Sequence, residues 1–400
     1  MAASYPTTIK SFPAKANGDF ILHTHVTDLE AEVVALETAL KTGPTVLAAA
    51  SFSGAVTLTG GLNTPLVVAQ GGTGLATLAS AGVLVGAGTG TPTTVAPSTS
   101  GNVLTSDGSV WASTAVASSD TGLVAEGRLT LTSGTPVTTA DVTGATSIYF
   151  APYKGNRIAL YDGSSGWNVR TFAQITIAVG TITDAKPHDL FCYDNAGTVT
   201  FDAPLVWTDD ENRATALVLQ DGVLVKSGAT TRRYIGTFYT TATTTTEDSL
   251  KKRLVWNYYN RRPRPVYHNA SGSHTYTTGT WRQYDGDTAN RIEIIQGWPE
   301  DVFSMSVLSH VYGSVAGSFA SVTLQVDATS SVNALSTVPE PQFNPMNTMY
   351  TIQGFLTQNC GVGKHNIVWV QFSQASGTIT YFATGAAGVE RGGITGFCWA

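Results

Sequence analysis

Thr42-Gly-Pro-Thr-Val-Leu-Ala-Ala-Ala-Ser51 opens a stretch that runs on to Ser119 with one charged residue, Asp107. The rest is Gly, Ala, Thr, Ser and Val, with isolated larger apolar residues such as Leu62, Leu66, Leu84, Val103 and Trp111. So few bulky side chains cannot offset the entropy of ordering the segment around a private core. So few charges are equally unlike an ordinary solvated surface. The segment is either a low-complexity linker or a thin shaft whose core is shared among identical chains, and its neighbours favour the shaft. Within it, Gly82-Val-Leu-Val85 and Asn102-Val-Leu-Thr105, the latter closed by Asp107-Gly108, read as strands between tight turns. Gln70–Gly74 and Gly86–Gly90 look superficially like phosphate loops. Neither leads into a helix or a Lys-Ser/Thr pair, so both read as turns.

Immediately upstream, Leu22, Val26, Leu29, Val33, Leu36 and Leu40 follow a strict heptad, with Val26, Val33 and Leu40 at a. Thr27 and Glu30 match a capping box, and Gly43-Pro44 ends the helix sharply. So short a coil is marginal alone and reads as a clamp that registers parallel chains. Val at a with Leu at d leans towards two strands, so the heptads leave dimer and trimer both open. An amphipathic helix on its own domain shows the same pattern, but the stretch after Gly43 offers no domain to pack on.

Charged residues make up only 12% of the chain and glycines number 41, a balance that suits turn-rich β-structure rather than disorder. A net charge of −6 argues against a nucleic-acid binder. Cys192, Cys360 and Cys398 are too few for a disulfide framework or a zinc site; a Cys360–Cys398 pair stays open. The N-terminal residues lack a signal-peptide core and the apolar run Val46–Leu58 is too short for a bilayer, so the chain is expected to be soluble and made in a cytoplasm.

After the shaft, Arg128–Thr132, Ser147–Phe150, Asn156–Leu160, Ala216–Leu219 and Val223–Val225 are strand-like, with turns at Lys154-Gly155, Asp162-Gly163 and Asp221-Gly222. Val322–Val326 and Asn366–Phe372 alternate as strands do. The fold class expected is mainly β: an elongated fibre with a short N-terminal coiled coil, a low-charge β-shaft and two β-sandwich-like, jelly-roll-type domains. The divisions are an arm at 1–20, the coil at 21–43, the shaft at 44–121, a middle β-domain at 122–255, a basic and aromatic linker at 256–266, and a C-terminal β-sandwich at 267–400. In that linker the interleaved Arg and aromatic residues could touch an anionic polymer, but a stiff connector with internal ion pairs explains them better.

Three stretches together resemble the fibre proteins of tailed bacteriophages. These are Tyr5–Phe12 with the following coil, Gly82–Gly86 through Thr93–Trp111, and Arg157–Gly163 through Trp256–Arg261. The resemblance covers the chain to about Arg261 and carries structural motifs only. It implies an elongated homotrimer in the virion, an N-terminal arm on the tail or capsid, and a C-terminal domain that meets a host-surface receptor, expected to be a glycan. A capsid-mounted head fibre and a polysaccharide-cleaving tailspike are the alternatives. The tailspike is disfavoured because no short-coil repeat extends beyond the shaft.

No pattern reaches an enzyme assignment, and no cofactor is expected. His23 and His25 could present imidazoles to a metal on a threefold axis, yet solvated histidines are the simpler reading. Asp285/Asp287 and Asp209-Asp210-Glu211 offer carboxylates for calcium or glycosidase chemistry, and surface turns explain both groups. Ser271 and His274 lack a nucleophile elbow. Receptor contact, if made by aromatic rings in tip loops, falls to Trp281, Tyr284, Trp298 and Tyr312.

Overall fold

A computed structural model describes residues 20, 23–42, 73–115, 124–164, 166–384 and 391–400. The chain is mainly β, 50% strand and 5% helical. It divides into two units, 1–116 and 117–400.

In the first unit the heptad region forms the helix His23–Thr42. The helix starts a turn earlier than the capping box implies. Thr27 is no cap: its hydroxyl donates back to the carbonyls of His23 and Thr24, at 3.1 and 3.0 Å. The expected shaft strands are present as two hairpins, Val83–Val85 with Thr93–Val95 and Val103–Ser106 with Trp111–Thr114. Asp107 closes the second, its Oδ1 accepting from the N–H groups of Ser109 and Val110 at 2.8 Å. Leu22, the arm residues 1–19, Gly43 and residues 44–72 and 116–121 of the expected shaft lie outside the described residues. No described residue of this unit is buried.

The second unit begins from a long strand, Ala229–Ala242, which pairs with Pro187–Asn195, Val223–Lys226, Thr245–Asp248 and Val255–Asn257. Asp221 and Gly222 both hold positive φ, 50° and 81°, and so make the tight hairpin turn between Gln220 and Val223. Leu129, Ile148, Phe150, Leu160, Ile235 and Phe238 fill the middle core. Two sheets face each other in the C-terminal part. One contains Arg291–Gln296, Gly363–Ser373, Trp281–Gln283 and Ala320–Val326. The other contains Pro263–Asn269, Gly393–Trp399, Phe303–Gly313, Tyr350–Gln358, Ile379–Thr384 and Gly272–Tyr276. Between them Phe303, Met305, Val307, Leu324, Trp369 and Tyr381 form one core, a β-sandwich-like arrangement.

The stretch 256–266, expected as a linker, is built into both parts. Val255–Asn257 pairs with Ala229–Ala242, and Pro263–Asn269 pairs with Gly393–Trp399. Trp256 is fully buried in a further cluster with Tyr234, Ile295 and Ala400, which draws residues from both parts. Nor does a boundary near 255 interrupt the sheet, because Lys252–Arg253 pairs in parallel with Arg291–Gln296. The arginines of this stretch are taken up internally. Arg264 and the neighbouring Arg253 share Asp248, and Arg261 bonds Glu300 and Asp301.

Candidate functional site

Strict alternation in Phe303–Gly313 sends Phe303, Met305, Val307 and Val311 into the core and Ser304, Ser306, Leu308, His310 and Tyr312 to the other face. Tyr350–Gln358 repeats the pattern, with Ile352 and Leu356 inside and Thr351, Gln353, Phe355 and Thr357 outside. The two strands are neighbours, so the outward residues align: Ser304 opposite Thr357, Ser306 opposite Phe355, and His310 opposite Thr351. On the other side of Phe303–Gly313 lies Gly393–Trp399, and beyond it Pro263–Asn269, which places Phe397 beside Pro265 and Thr395 beside Tyr267.

These four strands present an outward face with no Asp, Glu, Lys or Arg. Four large rings stand open on it: Phe355 at 48% exposure, Tyr267 at 41%, Phe397 at 37% and Trp399 at 36%. Between them are hydroxyls that bond one another, Ser304 with Thr357 at 2.8 Å, and the His310 ring with the Thr351 hydroxyl at 2.9 Å. Tyr312 leans on Phe382, with ring centroids 5.6 Å apart. A bare sheet face normally carries charges that keep it from sticking to other chains. Here flat rings alternate with short neutral donors and acceptors. That chemistry suits a ligand with apolar faces and many hydroxyls.

Of the four aromatic residues expected at a receptor site, Tyr312 lies on this face. Trp281 is half-buried at the edge of the opposite sheet, its ring 5.4 Å from Phe372, and Trp298 is half-buried against the cluster around Trp256. Tyr284 is a correction: at 1% exposure it stacks on Trp369 and bonds the Ser309 hydroxyl, so it is a core residue. The four do not converge. The face was legible only as alternation in 303–313 and 350–358, because the pairing that assembles it joins residues far apart in sequence.

The polar candidates resolve in several ways. His274 commits its ring nitrogens to Gln371, 2.8 Å away, and to Asp285, 3.5 Å away, and burial holds it below the usual imidazole range. Asp287 accepts from the Ala289 N–H, which closes a turn. His23 and His25 both fall in the helix His23–Thr42, and the side chain of His25 lies outside what the structure describes. Cys192 and Cys398 are buried and Cys360 half-buried, all three as free thiols; burial pushes Cys360 and Cys398 up to about 12. Asp209 caps its own turn by accepting from Glu211 and Asn212 N–H groups, and Glu211 comes near Asp327 and His365, a meeting no local motif announces.

No family model and no curated relative matches the chain. Among solved structures it is similar to a Bacillus thuringiensis Cry1Da tryptic core variant at 8% identity, with 64% of this chain and 48% of that chain covered and a TM-score of 0.17. The insecticidal delta-endotoxin Cry8Ea1 of the same organism is 7% identical, with 68% and 51% covered and a TM-score of 0.18. The chain thus spans about half the length of these two toxin structures. An infectious bursal disease virus structure, Gx strain, is 10% identical, with 65% and 73% covered and a TM-score of 0.17. At these TM-scores the likenesses bear on neither the fold nor the function of this chain.

Proposed function

We propose that this chain is a non-enzymatic structural fibre of a tailed-bacteriophage virion. It assembles as a homotrimer through its N-terminal helix and shaft, attaches to the tail or capsid through the N-terminal arm, and meets a host-surface glycan with the charge-free sheet face. One observation carries the reading: no described residue of the first unit is buried. Val26, Leu29, Val33 and Leu36 of the heptad are 43–56% exposed in the single chain, and Val83, Leu84, Val103, Leu104 and Trp111 of the hairpins are 41–49% exposed. A chain that keeps this much apolar surface needs a cover, and the heptad spacing commits the cover to further copies of itself.

The test is to introduce Leu29→Asp with Val33→Asp. Both positions are exposed in one chain, so the fold of residues 117–400 is untouched and any change reports assembly. The variant is expected to sediment mainly as monomer while its far-UV circular dichroism stays β-dominated. An unchanged oligomer would contradict the shared core. The glycan half of the proposal is tested separately, by retention of the protein on immobilised host lipopolysaccharide or capsule. Release of oligosaccharides in that assay would replace the adhesive reading with an enzymatic one.

A further inference from the structure

The sheet that carries the neutral face has six strands, and Arg264 is the one Asp, Glu, Lys or Arg in them. Its side chain points inward, 5% exposed, and donates to the Thr138 carbonyl at 2.7 Å and to Asp248 at 3.1 Å. The outward side of these strands therefore offers no ion to a partner. Across it the register builds one row from four strands: Phe355 lies opposite Ser306, Ser306 opposite Thr395, and Thr395 opposite Tyr267. A ring stands at each end of the row and two hydroxyls lie between, over three strand spacings or about 14 Å.

A carboxylate, phosphate or sulfate pressed onto this row would lose its water and meet no cation, a cost that nothing on the face returns. The chain's net charge of −6 adds a field that repels such groups. A purely apolar partner fails for the opposite reason. It would strip water from Ser306 and Thr395 and leave their hydroxyls without bonds. A sugar without charge meets both demands, because its C–H faces stack on rings while its hydroxyls exchange bonds with Ser and Thr.

We propose that the ligand of this face is an uncharged polysaccharide that lies along the Phe355–Tyr267 row, across the four strands. The proposal rests on the reading of the face as a glycan site, and adds the charge class and the direction of the bound chain. The end sugars stack on Phe355 and Tyr267, and the sugars between them bond Ser306 and Thr395. Phe397, two residues along the strand from Thr395, stands open beside the row and supplies a further ring. The complex contains no ion pair, so it is insensitive to ionic strength: salt screens charges and leaves stacking and hydroxyl bonds in place.

The experiment measures retention of the full-length protein on a panel of immobilised bacterial polysaccharides, some uncharged and some bearing uronic acid or phosphate. Retention is expected on uncharged members alone, and equally at about 0.05 and about 0.5 M NaCl. Thr395→Glu places a charge in the middle of the row at an exposed position, so the fold is kept, and should weaken that retention at least tenfold with the solution mass unchanged. Retention on acidic members that Thr395→Glu weakens and salt reduces would overturn the uncharged class and leave the glycan reading standing. No retention on any member would overturn both. Retention that Thr395→Glu leaves unchanged would place the ligand elsewhere, and a fall in solution mass with this variant would make the face a contact between copies of the chain; either result overturns the proposal.

Discussion

Asp248 shows how single residues hold the C-terminal half to the middle. It is 9% exposed and takes Arg253 at 2.8 Å and Arg264 at 3.1 Å, while Arg253 also donates to the Pro265 carbonyl. Removing the carboxylate leaves two buried guanidinium groups short of an anion, and breaking such a pair costs about 3–5 kcal/mol. Asp248→Asn is therefore expected to lower the unfolding free energy by that order in urea denaturation. Three histidines set the acid response. Burial holds His188, His268 and His274 below their unfolded value. The unfolded chain thus binds protons first as pH falls, and stability drops as pH passes below about 6.5 towards their folded values. A second loss follows at lower pH. Burial raises Glu293 and Asp327, but Lys364 beside the one and the His365 ring on the other outweigh it, so both end below the usual carboxylate range. Their stabilisation is present above the unfolded carboxylate value of about 4 and is lost as pH falls through the folded one. The Tm measured from pH 7.5 to 3 should fall in two steps, and Glu293→Gln should shrink the lower one.

At the scale of elements, strand packing is tightest where a glycine lies under a neighbouring strand. A Cβ on Gly236 would come within 2.2 Å of the Trp256 carbonyl and 2.8 Å of Leu129 Cδ1. Gly236→Ala forces Ala229–Ala242 away from Val255–Asn257 and should cost on the order of 3 kcal/mol, read from the shift in denaturation midpoint. That pairing also explains which elements could be read from sequence. Alternation and turn residues give Ser147–Pro152, Arg157–Tyr161, Val223–Lys226 and Gly363–Ser373 close to where they stand, because those signals are local. The basic and aromatic run 256–266 misleads for the opposite reason. Its charges look solvent-bound in one dimension, while their partners Asp248, Glu300 and Asp301 come from other turns of the chain. Tyr284 fails as a contact residue in the same way: its neighbour Asp285 suggests an exposed loop, yet Trp369 covers its ring. Even the meeting of Glu211 with Asp327 and His365 depends on the tertiary contact of a turn with two distant strands.

For the whole molecule, the two units differ in what they need. Residues 117–400 carry four hydrophobic clusters of their own, whereas the described part of 1–116 buries nothing. Under the proposed function, the first unit is completed by copies of itself and the second by a ligand on its neutral face. Phe355→Ser with Trp399→Ser removes two rings that are exposed in the single chain, and should weaken retention on the host polysaccharide at least tenfold while leaving Tm within a degree or two. The central claim is the shared core, and the solution mass of the full-length protein by light scattering tests it most directly. The account predicts a mass of three times the 41.9 kDa chain. A monomer whose helix and hairpins remain folded would contradict it.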